Sequence, residues 1–415
     1  MTTAGRMTTA ERLTVLLSGV LGGRPPVRIQ AWDGSVAGPA DAPTVQLRSR
    51  RVLRRLLWQP NELGVAQAYV AGELAVPGGA DRLAEGLVAL WQHARANRLG
   101  RVELSAAGRL RAAVIAARLG AFGPRPPAPA AQARPAGAVH GRDRDRAVIA
   151  HHYDLSNAFY RLILDPSMAY SCAYYVEPGM RLAQAQQAKL DLICRKLRLR
   201  PGTRLLDVGC GWGSLCLHAA ERYGASVLGV TISRQQYEFV SRRIAERGLA
   251  DRVTVRLQDY RDLPAEEFDA VSSIEMGEHV GQQNYPRYLK VLFDALRPGG
   301  RLLLQQMSRR ADAAPGGGPF IEHYIAPDMH MRPVEQTAGE LTAAGFRICD
   351  IHPMGEHYAQ TVEDWLANFE AHYADVVGLV GEQVARVWRL YLVGGGLSFA
   401  EGRMGVEQLL AERPA

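Results

Sequence analysis

The chain has 415 residues, 47% of them hydrophobic, so it is long enough for two or three domains with buried cores. Its formal charge of +7 favours an anionic partner, either a nucleic acid or an anionic membrane surface. Five cysteines without a C-x-x-C pair argue against a disulfide scaffold and a metal site, and they fit a reducing cytoplasm. We find no signal-peptide pattern and no apolar run of the roughly 20 residues that span a membrane, so we expect any membrane contact to be peripheral.

Residues 1–121 are predicted to form a small α+β domain. After a short helix within 1–22, the pattern indicates strands over 27–32 and 44–47 and helices over 48–58, 62–74, 80–98 and 104–119. The helix over 48–58 sets arginines around a stripe of valine and leucine and ends at Trp58. Such a helix is most often a solvated face, but it also suits docking on a lipid surface. Residues 122–146 are rich in proline and alanine and predict a linker.

Residues 147–415 are predicted to form a second, larger domain. Helices are indicated over 149–164 and 181–197. Alternating strands and helices follow: strands over 203–208, 226–231, 252–257, 268–274 and 300–306, and helices over 214–223, 234–247 and 284–295. This alternation predicts an α/β fold with a doubly wound, mostly parallel, Rossmann-like sheet. Another αβ unit is expected over 334–351, and the tail over 361–410 is predicted to be mostly helical, with a break at 394–396.

A glycine-rich turn, 206–213, follows the first strand of this sheet. Gly209, Gly211 and Gly213 would let the backbone approach a ligand where a Cβ would collide. The third glycine comes too early for the dinucleotide fingerprint, and no phosphate-binding lysine follows. Asp207 would suit the cationic sulfonium and ammonium of S-adenosylmethionine and would repel a pyrophosphate. The turn alone is a weak signal, because similar turns serve many cofactors.

Polar residues also follow the next three strands. They are Thr231, Ser233 and Gln236 after the second strand, Asp259 and Tyr260 after the third, and Glu275 and Glu278 after the fourth. Each of them alone could be a capping or loop residue. Because ligands of such sheets lie across the carboxyl ends of the strands, we expect these residues together to form a ligand site.

Several segments resemble the cyclopropane-fatty-acyl-phospholipid synthase family, whose members use S-adenosylmethionine to modify double bonds of membrane lipid acyl chains. The most specific are Tyr-Ser-Cys-Ala-Tyr at 170–174 and Glu-His-Val-Gly at 278–281. The others are 152–157, 186–189, 206–213, 229–233, 258–263 and 323–325. The resemblance covers about 147–410, and 61–76 resembles the family's N-terminal domain. It implies a methyltransferase on the inner membrane face that acts on unsaturated phospholipid acyl chains. The Asn-Pro-Pro-aromatic and Pro-Cys motifs of nucleic-acid methyltransferases are absent, so no nucleic acid is expected as substrate.

The resemblance also assigns roles to individual residues. S-adenosylmethionine would be held by Tyr170, Ser171, Gly209, Gly211, Thr231, Ser233, Gln236 and Asp259. Family members bind a bicarbonate ion as general base, and its ligands here would be Cys172, Glu278 and Tyr358. A histidine of that family cluster is replaced by Gln305, which cannot become cationic or act as a base near neutral pH. A carbocation formed in the reaction could be stabilised by aromatic rings, for which Tyr153, Tyr170, Tyr174, Tyr175, Phe320 and Tyr358 are candidates.

The replacement at Gln305 bears on the product. Relatives that lack this histidine include fatty-acid methyltransferases that make methylene or methyl branches, so our hypothesis is a branched acyl chain rather than a cyclopropane. A methylene product would need a reductase as a partner to become a methyl branch, and a homodimer is expected on general grounds. Two alternatives stay open: a small-molecule methyltransferase, because this fold hosts many acceptors, and a lipid-binding subunit without catalysis.

Overall fold

The computed structural model describes residues 7–97, 106–153, 156–263 and 266–415. The motif residues Asp154 and Leu155, and the side chains of His151, His152 and Tyr153, lie outside the described set. The chain divides into two compact units, one of residues 1–132 with 380–394 and the other of residues 133–379 with 395–415. Among the described residues, no helix has both the length and the apolar character needed to cross a bilayer.

The first unit combines helices with a four-stranded sheet in the order β2-β1-β3-β4. β1 runs parallel to β3, whereas the pairs β1–β2 and β3–β4 are antiparallel. The elements are α1 (Thr9–Leu21), β1 (Arg28–Gln30), β2 (Val36–Ala37), β3 (Thr44–Leu47), α2 (Arg51–Trp58), α3 (Glu62–Val70), β4 (Leu74–Ala75), α4 (Gly79–Ala96) and α5 (Ala106–Arg118). Their common core includes Leu13, Ile29, Leu47, Val52 and Leu53.

The arginine-rich helix α2 does not present all its charges to solvent. Arg55 is 3% exposed, and its guanidinium donates to both carboxylate oxygens of Glu73, at 2.9 and 3.0 Å. It also donates to Gln67 Oε1 and to the carbonyl of Pro127. Val52 and Leu53 face the core, while Leu57 and Trp58 remain exposed. The helix therefore contributes a buried ion pair as well as a surface.

The second unit contains a seven-stranded sheet in the order β10-β11-β9-β8-β5-β6-β7. Its strands are β5 (Arg204–Val208), β6 (Ser226–Thr231), β7 (Val253–Leu257), β8 (Phe268–Ile274), β9 (Leu296–Arg309), β10 (Arg347–Pro353) and β11 (Met404–Glu412). In the part of the sheet ordered β9-β8-β5-β6-β7, all neighbouring strands are parallel. β11 is antiparallel to both β9 and β10. The predicted mostly parallel α/β sheet is therefore confirmed.

The described chain after residue 132 also contains the helices α6 (Arg142–Tyr153), α7 (Asn157–Ile163), α8 (Leu182–Lys196), α9 (Ser214–Tyr223), α10 (Arg234–Glu246), α11 (Tyr285–Asp294), α12 (Pro319–Tyr324), α13 (Val334–Ala343), α14 (Gly355–Ala371), α15 (Tyr373–Val380) and α16 (Glu382–Ala400). Of these, α9, α10, α11, α13 and α14 pack against strands of the sheet. Because successive side chains of a strand point to opposite faces, Leu205 joins one core cluster and Leu206 the other. Burial on both faces explains why β6 is apolar from Val227 to Val230, whereas β5 carries the buried Asp207 between Leu206 and Val208.

The prediction of C-terminal helices broken at 394–396 is wrong in two respects. Helix α16 continues through Gly394, Gly395 and Gly396, although each glycine lowers helix stability by about 1 kcal/mol relative to alanine. Apolar side chains on both sides of the glycines, including Leu392 and Phe399, are buried, and this burial offsets the weak propensity. The last segment is the strand β11, which pairs with β9 along its whole length from Met404 to Glu412.

We predict that Arg55→Ala destabilises the first unit by about 3–5 kcal/mol, because it leaves the Glu73 carboxylate buried without its cation. Chemical denaturation monitored by tryptophan fluorescence measures the effect. Arg51→Ala, an exposed charge on the same helix, is the control and should change stability by less than about 0.5 kcal/mol. Equal unfolding midpoints for the two variants would contradict a structural role for the buried pair.

Candidate active site

The glycine-rich turn between β5 and α9 is built from backbone with positive φ. Gly209, Gly211 and Gly213 have φ values of 80°, 54° and 77°. A Cβ at Gly209 would lie 3.0 Å from the sulfur of Met276, and one at Gly213 would lie 2.8 Å from Val240 Cγ1. A Cβ at Gly211 would meet nothing within 4 Å. Gly209 and Gly213 thus permit close packing, whereas Gly211 borders open space that a ligand can fill.

Most of the predicted cofactor residues line one cavity at the carboxyl ends of the strands. These residues are Tyr170, Ser171, Asp207, Gly209, Gly211, Thr231, Gln236, Asp259 and Tyr260. Gly213 and Ser233 are not among the lining residues; each is the N-cap of the helix that follows it. The same cavity is lined by Glu275, which was expected at the ligand site as a strand-end residue, and by Lys189 and Met276, which the sequence did not single out.

The residues that follow β6 are linked by hydrogen bonds. The hydroxyl of Thr231 donates to Gln236 Oε1 at 2.7 Å and accepts from the amide of Ser233 at 3.2 Å. The hydroxyl of Ser233 in turn accepts from the amide of Gln236, also at 3.2 Å, and so caps α10. Ser233 is therefore a capping residue, whereas Thr231 fixes the Gln236 side chain at the cavity wall, where both stay predicted ligand-site residues.

The carboxylates of the cavity lie in different surroundings. Asp207 accepts a hydrogen bond from Ser272 Oγ at 2.7 Å, and burial raises its pKa to about 6. Burial also acts to raise the pKa of Asp259, but hydrogen bonds from Arg261 hold it below its usual value. Together with Glu275, these groups make an acid-rich lining that fits a cationic ligand such as S-adenosylmethionine.

Lys189 lies beneath the segment that carries Tyr170 and Ser171. It is 1% exposed, and its ammonium donates to Ser171 Oγ at 2.8 Å. Gln186, one turn earlier on α8, donates to the carbonyl of Ser171, also at 2.8 Å. Burial lowers the pKa of Lys189, while the negative charge of Glu275 acts in the opposite direction. The two side chains of α8 thus fix the backbone that enters the cavity.

The acidic member of the predicted bicarbonate cluster is Glu275 and not Glu278. Glu275 Oε1 accepts hydrogen bonds from the amide of Cys172 at 2.9 Å and from Gln305 Nε2 at 2.7 Å. Its Oε2 accepts from the hydroxyl of Tyr358 at 2.6 Å. The donors expected to hold a bicarbonate ion are thus already bonded to a carboxylate of the chain. A bicarbonate ion does not fit beside it on the same donors.

Glu278 makes none of these contacts. Its carboxylate accepts from the amide of Met307, and its carbonyl accepts from the amide of His330 at 2.8 Å. Burial, and then the charge of Glu275, raise the pKa of Glu278 to about 8. Glu278 therefore links β9 to the segment before α13, and it takes no part in the cluster around Cys172.

Cys172 acts in this cluster through its backbone. Its thiol is buried and donates to the carbonyl of Ala173 at 3.2 Å. Burial, and then the charge of Glu275, raise the pKa of this thiol well above its usual value. A thiolate is disfavoured under these conditions, so the contribution of Cys172 is its amide hydrogen bond.

Aromatic rings surround the cluster, but they differ in part from the predicted set. Tyr170 packs against Trp365 at 5.0 Å between ring centroids, and Tyr358 stacks on Phe399 at 4.3 Å. Tyr358 and Trp365 are edge to face at 6.0 Å. The predicted candidates Tyr174, Tyr175 and Phe320 make other contacts: His357 with Tyr174, Asp364 with Tyr175 and Tyr324 with Phe320. Trp365 and Phe399 were missed because neither lies in a motif that the resemblance marks, unlike Tyr358.

Comparisons with known proteins identify relatives of this chain. The chain is 37% identical over 424 residues to a probable fatty acid methyltransferase of Mycobacterium tuberculosis, covering 99% of this chain and 96% of that protein. It is 40% identical to the cyclopropane-fatty-acyl-phospholipid synthase of Escherichia coli over 61% of this chain and 64% of that one. The crystal structure of the mycolic acid cyclopropane synthase CmaA1 complexed with SAH and CTAB matches with a TM-score of 0.61 and 32% identity, over 64% of this chain and 98% of that one.

The family described as mycolic acid cyclopropane synthetase matches residues 140–409, which include the whole cavity and the cluster around Glu275. This chain therefore belongs to the mycolic acid cyclopropane synthetase family and is an S-adenosylmethionine-dependent methyltransferase that modifies lipids.

Proposed function

We propose that the chain adds the methyl group of S-adenosylmethionine to the cis double bond of an unsaturated acyl chain in a membrane phospholipid and forms a methylene- or methyl-branched product. The observation that carries this proposal is a partly buried carboxylate, Glu275, which lines the cofactor cavity and accepts a hydrogen bond from Tyr358, whose ring stacks on Phe399. The names of the relatives, a fatty acid methyltransferase and a phospholipid-modifying synthase, support the same class of substrate.

S-adenosylmethionine supplies an electrophilic methyl group on a sulfonium. Its binding would fall to the turn at Gly209 and Gly211, to Gln236 after β6 and to the acidic lining at Asp207 and Asp259. An alkene is a weak nucleophile without a proton to remove, so it must be held close to the methyl in a water-free pocket. The ring of Tyr170, which lines the cavity and packs against the buried Trp365, supplies apolar surface there.

Attack by the alkene leaves a carbocation on the neighbouring carbon. The ring faces of Tyr170 and Tyr358 can stabilise this charge, and a carboxylate at the cavity wall adds an opposite charge. Loss of a proton from the added methyl then closes a cyclopropane. If a hydride first shifts from the methylated carbon to the cationic carbon, the positive charge moves to the methylated carbon. Loss of a proton from the added methyl then gives a methylene branch. The neutral amide at Gln305, in place of the family's histidine, motivates the branched product.

The first prediction of this proposal concerns the product. With methyl-labelled S-adenosylmethionine and oleoyl phospholipid vesicles, we expect label in the lipid phase as a methylene branch, or as a methyl branch when a reductase is supplied. Mass spectrometry of the released fatty acids identifies the product. A cyclopropane as the main product would refute the branched assignment, and label confined to water-soluble compounds would favour a small-molecule methyltransferase.

A second prediction concerns the cofactor. Gly211→Leu places a side chain in the open space beside the turn, so we expect S-adenosylhomocysteine to bind at least about 10-fold more weakly, or about 1.4 kcal/mol. Gly248→Leu is a matched control, since Gly248 has a similar φ of 64° and nothing within 4 Å but does not line the cavity. Titration calorimetry measures both. Unchanged affinity in Gly211→Leu would remove this turn from the cofactor site.

We also propose that the first unit docks on the anionic inner face of the membrane. Leu57, Trp58 and Phe122 are 49%, 58% and 59% exposed. The indole of Trp58 donates to the carbonyl of Gly123 at 3.0 Å, so Trp58 and Phe122 are neighbours. Arg51 is exposed on the same helix as Trp58. Aromatic rings with adjacent cationic side chains suit the interface between headgroups and acyl chains.

The docking proposal predicts that Arg48→Gln/Arg51→Gln weakens binding to anionic vesicles roughly 30-fold, at about 1 kcal/mol for each charge. Both arginines are exposed, unlike Arg55, so folding should be unaffected. The double variant Arg24→Gln/Arg82→Gln removes two other exposed charges of the same unit and should bind nearly as well as the parent. Vesicle sedimentation gives the affinities, and equal loss in both double variants would mean that only net charge matters.

A further inference from the structure

The carboxylate of Glu275 occupies the position for which a bicarbonate ion was expected. Its oxygens accept hydrogen bonds from the amide of Cys172, the side-chain amide of Gln305 and the hydroxyl of Tyr358. These donors come from three distant segments: the loop before α8, the strand β9 and the helix α14. The chain therefore supplies its own anion where the resemblance implies an external one.

The backbone at Glu275 has a strained conformation, and in this conformation the carboxylate reaches the three donors. Glu275 follows β8 with a φ of 51°, in the left-handed region that non-glycine residues rarely adopt. Its amide donates to the carbonyl of Gln305 at 2.7 Å, which holds the end of β8 against β9. Such a strained conformation persists only where several surrounding interactions hold it in place, and it is found most often at functional sites. A turn needed only to leave the strand would be easier to build with glycine.

The donors around Glu275 hold the carboxylate without neutralising it. A backbone amide, a side-chain amide and a phenol are all uncharged. Gln408 Nε2 donates to Gln305 Oε1 at 3.0 Å, so the NH₂ group of Gln305 is the one that faces Glu275. The nearest cationic influence is Lys189, whose ammonium is hydrogen-bonded to Ser171 rather than to Glu275. Burial raises the pKa of Glu275, so its anion is a better proton acceptor than an exposed carboxylate.

We propose that Glu275 is the general base of the reaction and replaces bicarbonate in this chain. The assignment rests on the proposed function, because it needs a carbocation from which a proton is lost. Glu275 lines the same cavity as Gly209, Gly211 and Gln236, so its carboxylate borders the space where the methyl would be delivered. Gln305 and Gln408 are positioning residues in this scheme, since they act through Glu275.

The π electron pair of the alkene forms the new bond to the methyl carbon, and the bond from sulfur to that carbon breaks with its pair staying on sulfur. A hydride moves from the methylated carbon to the neighbouring cationic carbon. The carboxylate of Glu275 then accepts a proton from the added methyl, and the electron pair of that C–H bond becomes the C=C bond of the methylene. The neutral Glu275 later releases its proton to water.

The test uses the full-length chain with oleoyl phospholipid vesicles and measures initial rates in carbonate-depleted buffer and with millimolar bicarbonate. Wild-type rates should be equal in the two buffers. Glu275→Gln keeps the shape and can keep the hydrogen bonds, but it cannot accept a proton; it should lose about 100-fold or more in turnover while binding S-adenosylhomocysteine normally.

Glu275→Gly provides the sharper measurement. It relieves the backbone strain, frees the three donors and leaves room for a small anion, so added bicarbonate should restore at least about 10-fold of the lost rate. Glu278→Gln removes the other buried glutamate of this segment, which makes none of the cluster contacts, and should show no such rescue. Circular dichroism of each variant checks that it is folded.

The outcomes separate the two proposals. Lipid methylation by the wild type that falls in carbonate-depleted buffer would overturn the assignment of Glu275 and leave the proposed function standing, and this measurement needs no variant. Turnover in Glu275→Gln close to that of the wild type would overturn it as well. A wild-type chain that binds S-adenosylhomocysteine but methylates no lipid in either buffer would overturn the proposed function and the base assignment together.

Discussion

The candidate active site depends on one partly buried carboxylate whose hydrogen-bond partners are supplied by the chain. An ionised group in a protein interior is strongly disfavoured unless polar partners replace its hydration. Glu275 receives such partners from the loop at Cys172, from Gln305 on β9 and from Tyr358 on α14. Because these segments lie far apart in sequence, the chain must be fully folded before the carboxylate is satisfied. Folding and assembly of the site are therefore the same event in this part of the molecule.

The strands of the parallel sheet could be predicted because local and global requirements agree there. Buried strands such as β6 are mostly apolar on both faces, and the helices between them have the length of ordinary crossovers. The strand β11 could not be predicted in the same way. It is stabilised by pairing with β9 and β10, and nothing within 404–412 distinguishes a strand between two distant partners from the end of a helix. The glycines of α16 led to the wrong prediction of a helix break, because burial of the neighbouring apolar side chains outweighs the low helix propensity of glycine.

The location of the candidate site could be predicted from the sequence, but the roles of its individual residues could not. Polar residues at four strand ends locate the cavity, because the carboxyl ends of parallel strands meet at one edge of a sheet. Sequence spacing could not decide between Glu275 and Glu278, which lie within one short turn. What separates them is the positive φ of Glu275, a backbone property that no side-chain pattern reveals. Arg55 gives a parallel case, since its charge suggested a surface residue and only its partner Glu73 shows it to be buried.

The strand β11, which was not predicted, also determines which end of the Gln305 side chain faces Glu275. A glutamine side chain can present either an acceptor or a donor to its neighbour. In the register of β11 with β9, Gln408 lies opposite Gln305 and donates to its oxygen, so the NH₂ group must turn towards Glu275. An imidazolium at this position would pair with the carboxylate and lower its basicity, whereas an amide held in this orientation binds the anion and leaves it able to take a proton. The exchange of histidine for glutamine and the presence of Glu275 are therefore two parts of one arrangement, in which the base belongs to the protein and its neighbour stays neutral.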